Sequence, residues 1–125
     1  MSKHHNKQKG DRAEATAAFY LKNQGFRILD TNFRWKGGEV DIVAKDTTGY
    51  LVFIEVKYRT TGHYGTPSEA VDGRKITKIR QTAQAYLHFK QLHEVDVRFD
   101  VIELTDCYDY SSTPEYKINH LYSAF

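Results

Sequence analysis

Four charged residues interrupt two apolar runs in the stretch GGEVDIVAKDTTGYLVFIEVKYR, Gly37 to Arg59: Glu39 and Asp41 in the first run, Glu55 and Lys57 in the second. Strand-borne carboxylates that leave positions open to water and phosphate are the usual surroundings of Mg²⁺, which takes one or two carboxylates plus substrate oxygens. A lysine beside them could orient an attacking water or neutralise charge on a phosphorane-like transition state. The chemistry open to such a set is metal-assisted hydrolysis at phosphorus.

For these groups to meet, the two runs must pair in one register. The intervening Thr47, Thr48 and Gly49 suit a three-residue hairpin loop, a type I turn followed by a left-handed glycine. Asp46 then opposes Tyr50, and continuing outward pairs Val43 with Phe53, Asp41 with Glu55 and Glu39 with Lys57. Opposed residues share a sheet face. Glu39, Asp41, Glu55 and Lys57 are therefore expected on one face, and Val40, Ile42, Ala44, Ile54 and Val56 on the other. Like charges set opposite one another cost stability unless something positive lies between them, and a hard divalent cation meets that need. The plainer alternative is a solvated face with a Glu39–Lys57 pair and Asp41 and Glu55 merely exposed. A loop of even length without a bulge would put Asp41 and Glu55 on opposite faces.

Glu14 is a further candidate, as a metal ligand or water-orienting group carried over the sheet by a helix. It stands three residues after Asp11, so it equally fits the capping box of a helix start.

The elements that must position these groups follow from periodicity. Residues 1–10 carry none and are expected to form a flexible basic arm, followed by a single domain over 11–125. Asp11 can cap a helix from about Arg12 to Gln24 that Gly25 ends, with Ala13, Ala17, Tyr20 and Leu21 on its buried face. FRILDTNFRW, GEVDIVAK and LVFIEVKYR read as three successive strands. After the loop TTGHYGTPSEAVDG, a second helix runs from about Arg74 to Phe89 with Ile76, Ile79, Ala83, Tyr86 and Leu87 at helical spacing. VDVRFDVIEL alternates as a strand, TDCYDYSSTPE is a polar loop, and YKINHLYSAF is a short last strand. The order is α-β-β-β-α-β with a tail strand, an α/β sandwich without regular βαβ repeats.

At 125 residues with 40% hydrophobic content, the chain suits one domain with one core. Its apolar runs are far too short to span a bilayer, and MSKHHNKQKGDR lacks the apolar core of a secretory signal, so no membrane association and a cytoplasmic location are expected. The lone Cys107 allows neither an internal disulfide nor a cysteine-rich zinc cluster. The net charge of +2 is too small for a protein that merely coats polyanions. Basic residues nonetheless crowd the first twelve positions and recur in DGRKITKIR, a distribution compatible with a phosphate-facing surface around an acidic centre. Lys75 and Lys78, with Gln81 one turn on, could touch phosphate or a water network beside the site. Arg59 lies on the Lys57 side of its strand and could do the same. Asp100 reads as structural. The six histidines show no metal-ligand spacing, so solvent exposure is the default.

The segments GDRAEATAAFYLKNQGFRILDTNFRWKGGEVDIVAKD, VFIEVKYR, GTPSEAV, RKITKIRQTAQAYL, RFDVI and INHLYSAF, in that order, resemble the bacterial YraN-type family from about Gly10 onward. That family is grouped with restriction-endonuclease-like nucleases, near the archaeal Holliday junction resolvases. The resemblance implies an α-β-β-β-α-β nuclease core with a mixed sheet flanked by helices, and a metal-site pattern of a helix glutamate followed by D…E-x-K. On that pattern Glu14 matches the helix glutamate, Asp41 the metal-bridging aspartate, Glu55 the second carboxylate and Lys57 the lysine. Glu39 belongs to the family's acidic strand motif without a settled role.

The expectation is therefore a nuclease that hydrolyses DNA phosphodiesters with Mg²⁺ or Mn²⁺ held by Asp41 and Glu55, with Lys57 positioning or stabilising and Glu14 assisting. Branched DNA and a two-fold homodimer are suggested by analogy with the resolvases. Two other classes stay open: a nucleic-acid-binding module that turns nothing over, and an adaptor whose charged strand face docks a protein.

Overall fold

Ala13, Ala17 and Leu21 recur every four residues, and this stripe seats the first helix on the sheet: all three are buried. The computed structural model describes residues 3–59, 73–107 and 115–125. In chain order these form α1 (Lys3–Asn23), β1 (Arg27–Trp35), β2 (Gly38–Lys45), β3 (Leu51–Arg59), α2 (Gly73–Phe89), β4 (Val97–Cys107) and β5 (Glu115–Leu121). The strands make one five-stranded sheet in the order β1-β2-β3-β4-β5. Only β3 and β4 run parallel, and a parallel pair needs a long crossover, which α2 supplies. This is the mixed α/β arrangement expected, consistent with a restriction-endonuclease-like core.

The two helices pack on opposite faces. Below α1 lie Ile42, Ala44, Val52, Ile54, Ile102 and Leu104. Below α2 lie Val43, Leu51, Phe53 and Val101, met by Ile79, Ala83 and Tyr86 of the helix. Both faces of β2, β3 and β4 are thus covered, which is why these strands read as nearly continuous apolar runs in which any charge stands out.

Two boundaries differ from expectation. α1 begins at Lys3, so its backbone is helical where the basic arm was expected, and Asp11 lies inside the helix rather than at its cap. Glu14 consequently has no capping box to belong to. The side chains of residues 1–10, the segment GTPSEAV and most of the DCYDY loop lie outside the described residues.

The β2–β3 hairpin forms as its turn residues dictate. The Asp46 N–H donates to the Tyr50 carbonyl at 3.0 Å and Gly49 sits at φ 101°. Asp46 Oδ1 accepts from Thr48 N–H, Thr48 O–H and Tyr50 N–H at 2.8–2.9 Å. The ladder carries the expected register, Val43 with Phe53 and Ile42 with Ile54. The β1–β2 hairpin is tighter: Trp35 pairs with Gly38, and Lys36 and Gly37 between them both have positive φ, as a two-residue type I′ turn requires.

Asp100 has the structural role read for it. It is fully buried, takes two hydrogen bonds from Arg98 at 2.9 and 3.1 Å, and accepts the Ser123 N–H at 3.0 Å. His120 corrects the expectation of exposed histidines. Its side chain is 3% exposed, with Nε2 at 2.8 Å from Asp100 and Nδ1 at 3.0 Å from the Tyr20 hydroxyl. Both ring nitrogens are thereby hydrogen-bonded inside the protein. Burial works against ionisation of both aspartates, yet hydrogen bonds prevail, holding Asp46 at about 2 and Asp100 below the ordinary carboxylate value. No helix among the described residues is long and apolar enough to cross a membrane.

Candidate functional site

Pairing between β2 and β3 stops at Ile42 and Ile54, one residue short of the acids. The expected pairs of Asp41 with Glu55 and Glu39 with Lys57 are absent from the ladder. In their place the Asp41 carboxylate accepts the Val56 backbone N–H at 2.8 Å. Two like charges cannot sit comfortably opposite one another in a dry ladder, and a side-chain acceptor in the gap satisfies the donor that the broken pairing frees.

The strand also loses its strict alternation here. Val40 packs with Val43 and Phe53 in the α2-side core, although an odd separation would send it to the other face. The expected division of β2 into a charged and an apolar face therefore fails at Val40. Gly38 explains how β2 approaches α2: a Cβ there would lie 2.1 Å from Thr82 Oγ1 and 3.1 Å from Lys78 Cγ. Only glycine lets the strand end rest this close to the helix.

The acids still meet. Glu14, arriving on α1, has a carboxylate oxygen within 4.8 Å of those of Glu39 and Asp41, which lie equally near each other. Glu55 stands across the same cleft of about 220 Å³, which Gly38, Glu39, Asp41, Glu55, Lys75 and Lys78 line. Its Oε1 lies 2.6 Å from Lys75 Nζ and 3.3 Å from Lys57 Nζ. The structure thus groups Glu14 and Glu39 with Asp41 more tightly than it groups Glu55, whose near oxygen is held by two ammonium groups.

Crowding shows in the ionisation of these groups. Burial and the facing Glu55 charge push the Asp41 carboxyl up to about 8, with Glu14 and Glu39 adding and the Val56 N–H opposing. Burial also raises Glu14, against a hydrogen bond from Asn32. Lys57 is lowered by burial and by the neighbouring Lys75, against the pull of Glu55. Lys75 is partly buried too, but Glu55 outweighs that and holds its pKa high. A metal-free cluster of this kind carries more negative charge than it can stabilise, and an all-oxygen donor set of this size suits a hard divalent cation.

The flanking residues divide. Lys78 lines the cleft. Arg59 is 11% exposed, with Nε 3.4 Å from Glu103 Oε2, so a phosphate there would share the guanidinium with a carboxylate. Gln81 lines a neighbouring groove with Trp35 instead of the acidic cleft. Two contributions escaped the sequence: the direct grip of Lys75 on Glu55, and the placing of Gly38 against α2. Consecutive glycines after Trp-Lys were the only signal for the latter.

A family model described as "Uncharacterised protein family UPF0102" matches residues 13–104. A UPF0102 protein of Alkaliphilus oremlandii is 47% identical over 124 residues, covering 96% of this chain and 99% of that one. One from Trichlorobacter lovleyi is 53% identical over 97 residues, 78% of this chain and 76% of the relative. A third, from Geobacter sulfurreducens, is 47% identical over 122 residues, 98% of this chain and 91% of the relative. Among solved structures, SfsA of Pyrococcus furiosus in complex with Ca²⁺ aligns over 94% of this chain and 64% of that one. At 12% identity and a TM-score of 0.32, that likeness carries no argument.

Proposed function

Since the chain belongs to the UPF0102 family, whose description assigns no activity, we propose from the site itself that it is a divalent-metal-dependent nuclease acting on DNA phosphodiesters. The observation that carries this reading is Asp41: fixed by a backbone N–H, set among Glu14, Glu39 and Glu55, and pushed up to about 8 by burial and the Glu55 charge.

Asp41 and Glu55 would hold Mg²⁺ or Mn²⁺, with Glu14 and Glu39 completing the oxygen shell directly or through water. When bound, the cation neutralises charge on the phosphodiester and makes water more acidic. The protein's own part is positional. Val56 N–H fixes the Asp41 carboxylate, and Lys75 fixes Glu55. Lys57, whose ammonium is more easily deprotonated than usual, is placed to orient the attacking water, accept its proton, or offset charge on the phosphoryl oxygens. Lys78, at the cleft wall, supplies positive charge for the backbone on either side of the scissile bond. Branched DNA as the preferred substrate and a homodimer with two cutting sites extend this reading by analogy.

The 2.6 Å Lys75–Glu55 pair favours a second reading, a nucleic-acid-binding module whose second carboxylate is neutralised internally. End-labelled single-stranded, duplex, flapped and four-way-junction DNA, incubated with Mg²⁺ or Mn²⁺, separates the two. The nuclease cuts at least one substrate, and Asp41→Asn lowers the rate by about 100-fold or more. Equal DNA binding by both proteins without cleavage would leave the binding module.

A further inference from the structure

Around the β1–β2 hairpin tip, three recesses run into one another. The acidic cleft shares Gly37, Gly38 and Glu39 with a recess on the hairpin itself, and Lys78 with a groove of about 550 Å³ along α2. Trp35 and Lys36 belong to both of the latter two. The groove continues over Gln81, Gln84, His88 and Phe89, and no carboxylate among the described residues lines it.

Its surface has two components. Aromatic rings are contributed by the half-buried Trp35, over one face of which the Lys36 ammonium lies, and by Phe89, which is 59% exposed. Positive charge comes from Lys36, whose Nζ lies 4.8 Å from the Trp35 ring centroid, and from Lys78 at the junction with the acidic cleft. Flat rings alternating with lysines and amides match a strand whose bases are unpaired. Each base has a face to stack and each phosphate needs a cation, whereas a duplex keeps its bases stacked on one another.

We propose that this groove is a single-stranded DNA subsite, in which Trp35 stacks an unpaired base and Lys36 and Lys78 hold the phosphates that lead to the acidic cleft. The inference rests on the reading of that cleft as a nuclease centre and deepens it by naming the substrate class: DNA with an unpaired segment beside the scissile bond. The type I′ turn at Lys36 and Gly37 aims the subsite, because it fixes where Trp35 stands relative to Gly38 and hence to Lys78. Lys36 adopts φ 44° there, a conformation uncommon for a residue with a side chain.

Trp35 is the single tryptophan of the chain, so intrinsic fluorescence reports on this position alone. The wild-type protein is titrated in chelator, where no cleavage occurs, with oligodeoxythymidylate of about 12 nucleotides and with a blunt duplex of equal length. Saturable quenching by the single strand, weakened by salt and at least about tenfold weaker for the duplex, is expected. In anisotropy titrations of labelled single strand, Trp35→Leu lowers affinity about tenfold while Trp35→Phe stays within about threefold of wild type. Lys36→Glu lowers affinity and flattens the salt dependence. Equal response to duplex and single strand, or undiminished binding by Trp35→Leu, overturns the subsite. Quenching without cleavage of any substrate supports the subsite and overturns the nuclease reading; cleavage lost in Asp41→Asn without quenching overturns the subsite and leaves the nuclease reading standing.

Discussion

The carboxylate of Asp41 accepts the backbone N–H of Val56 at 2.8 Å, just beyond the last paired residues of β2 and β3. A side chain here does what a strand carbonyl does elsewhere in the sheet, and the same carboxylate sits among Glu14, Glu39 and Glu55.

This arrangement makes stability depend on pH in a definite sense. Burial and the facing Glu55 charge push the folded Asp41 carboxyl up to about 8, far above the ordinary aspartate value of 3.8. The folded state binds the proton more tightly, so this contribution to stability is complete below about pH 4 and is lost as pH rises through about 8. In chelator, the wild type is expected to lose on the order of 1–3 kcal/mol between pH 5 and 9 relative to Asp41→Asn, whose amide oxygen still accepts the Val56 N–H. Urea denaturation of both proteins at the two pH values checks this; parallel curves would rule it out.

Metal binding must then displace the proton. Mn²⁺ affinity is expected to rise by up to about tenfold per pH unit between pH 6 and 8. Calorimetric titrations in two buffers of different ionisation heat should yield release of up to about one proton per site at pH 7. Asp41→Asn should release none.

Lys75 competes with any cation for Glu55. Lys75→Met removes the 2.6 Å contact, and because its side chain is 40% exposed the cost in metal-free protein is about 1 kcal/mol rather than the larger figure for a buried pair. Mn²⁺ should bind the variant severalfold more tightly and stabilise it more than it stabilises the wild type. Thermal melts with and without Mn²⁺ read both effects, and equal metal-induced shifts would mean that Glu55 does not contact the ion.

Gly38 is the steric hinge between β2 and α2. Gly38→Ala drives a methyl into Thr82 Oγ1 at 2.1 Å, an overpacking expected to cost about 1–3 kcal/mol. Adding Thr82→Ala removes the worst contact and should recover a good part of that loss. Denaturation midpoints of the single and double variants provide the comparison.

Much of this site was legible before any coordinates. The Thr47-Thr48-Gly49 loop set the hairpin register, and that register correctly brought Asp41 and Glu55 to one neighbourhood. Continuing the ladder through two opposed acids was the error. Pattern arguments treat a strand as uniform, and they cannot see that repulsion ends the pairing one step early and turns Asp41 into the gap. Glu14 was a candidate for the site and fitted a capping box equally well, because Asp11 precedes it by three residues; a polar segment of lysine, glutamine and asparagine upstream extends the helix past both and leaves no box. The burial of His120 and the grip of Lys75 on Glu55 were not legible for a different reason. Each acts through a partner distant in sequence, Asp100 and Glu55, and spacing carries no information about such pairs.

Glu14, Asp41, Glu55 and Lys75 come from α1, β2, β3 and α2 in turn, so the charge cluster draws on both layers that sandwich the sheet. No fragment of the chain carries it, and a partly unfolded chain scatters its acids into water where none is perturbed. Competence at this centre is therefore an all-or-nothing property of the completed domain. A truncation that removes α1 or α2 should abolish the cluster outright rather than weaken it.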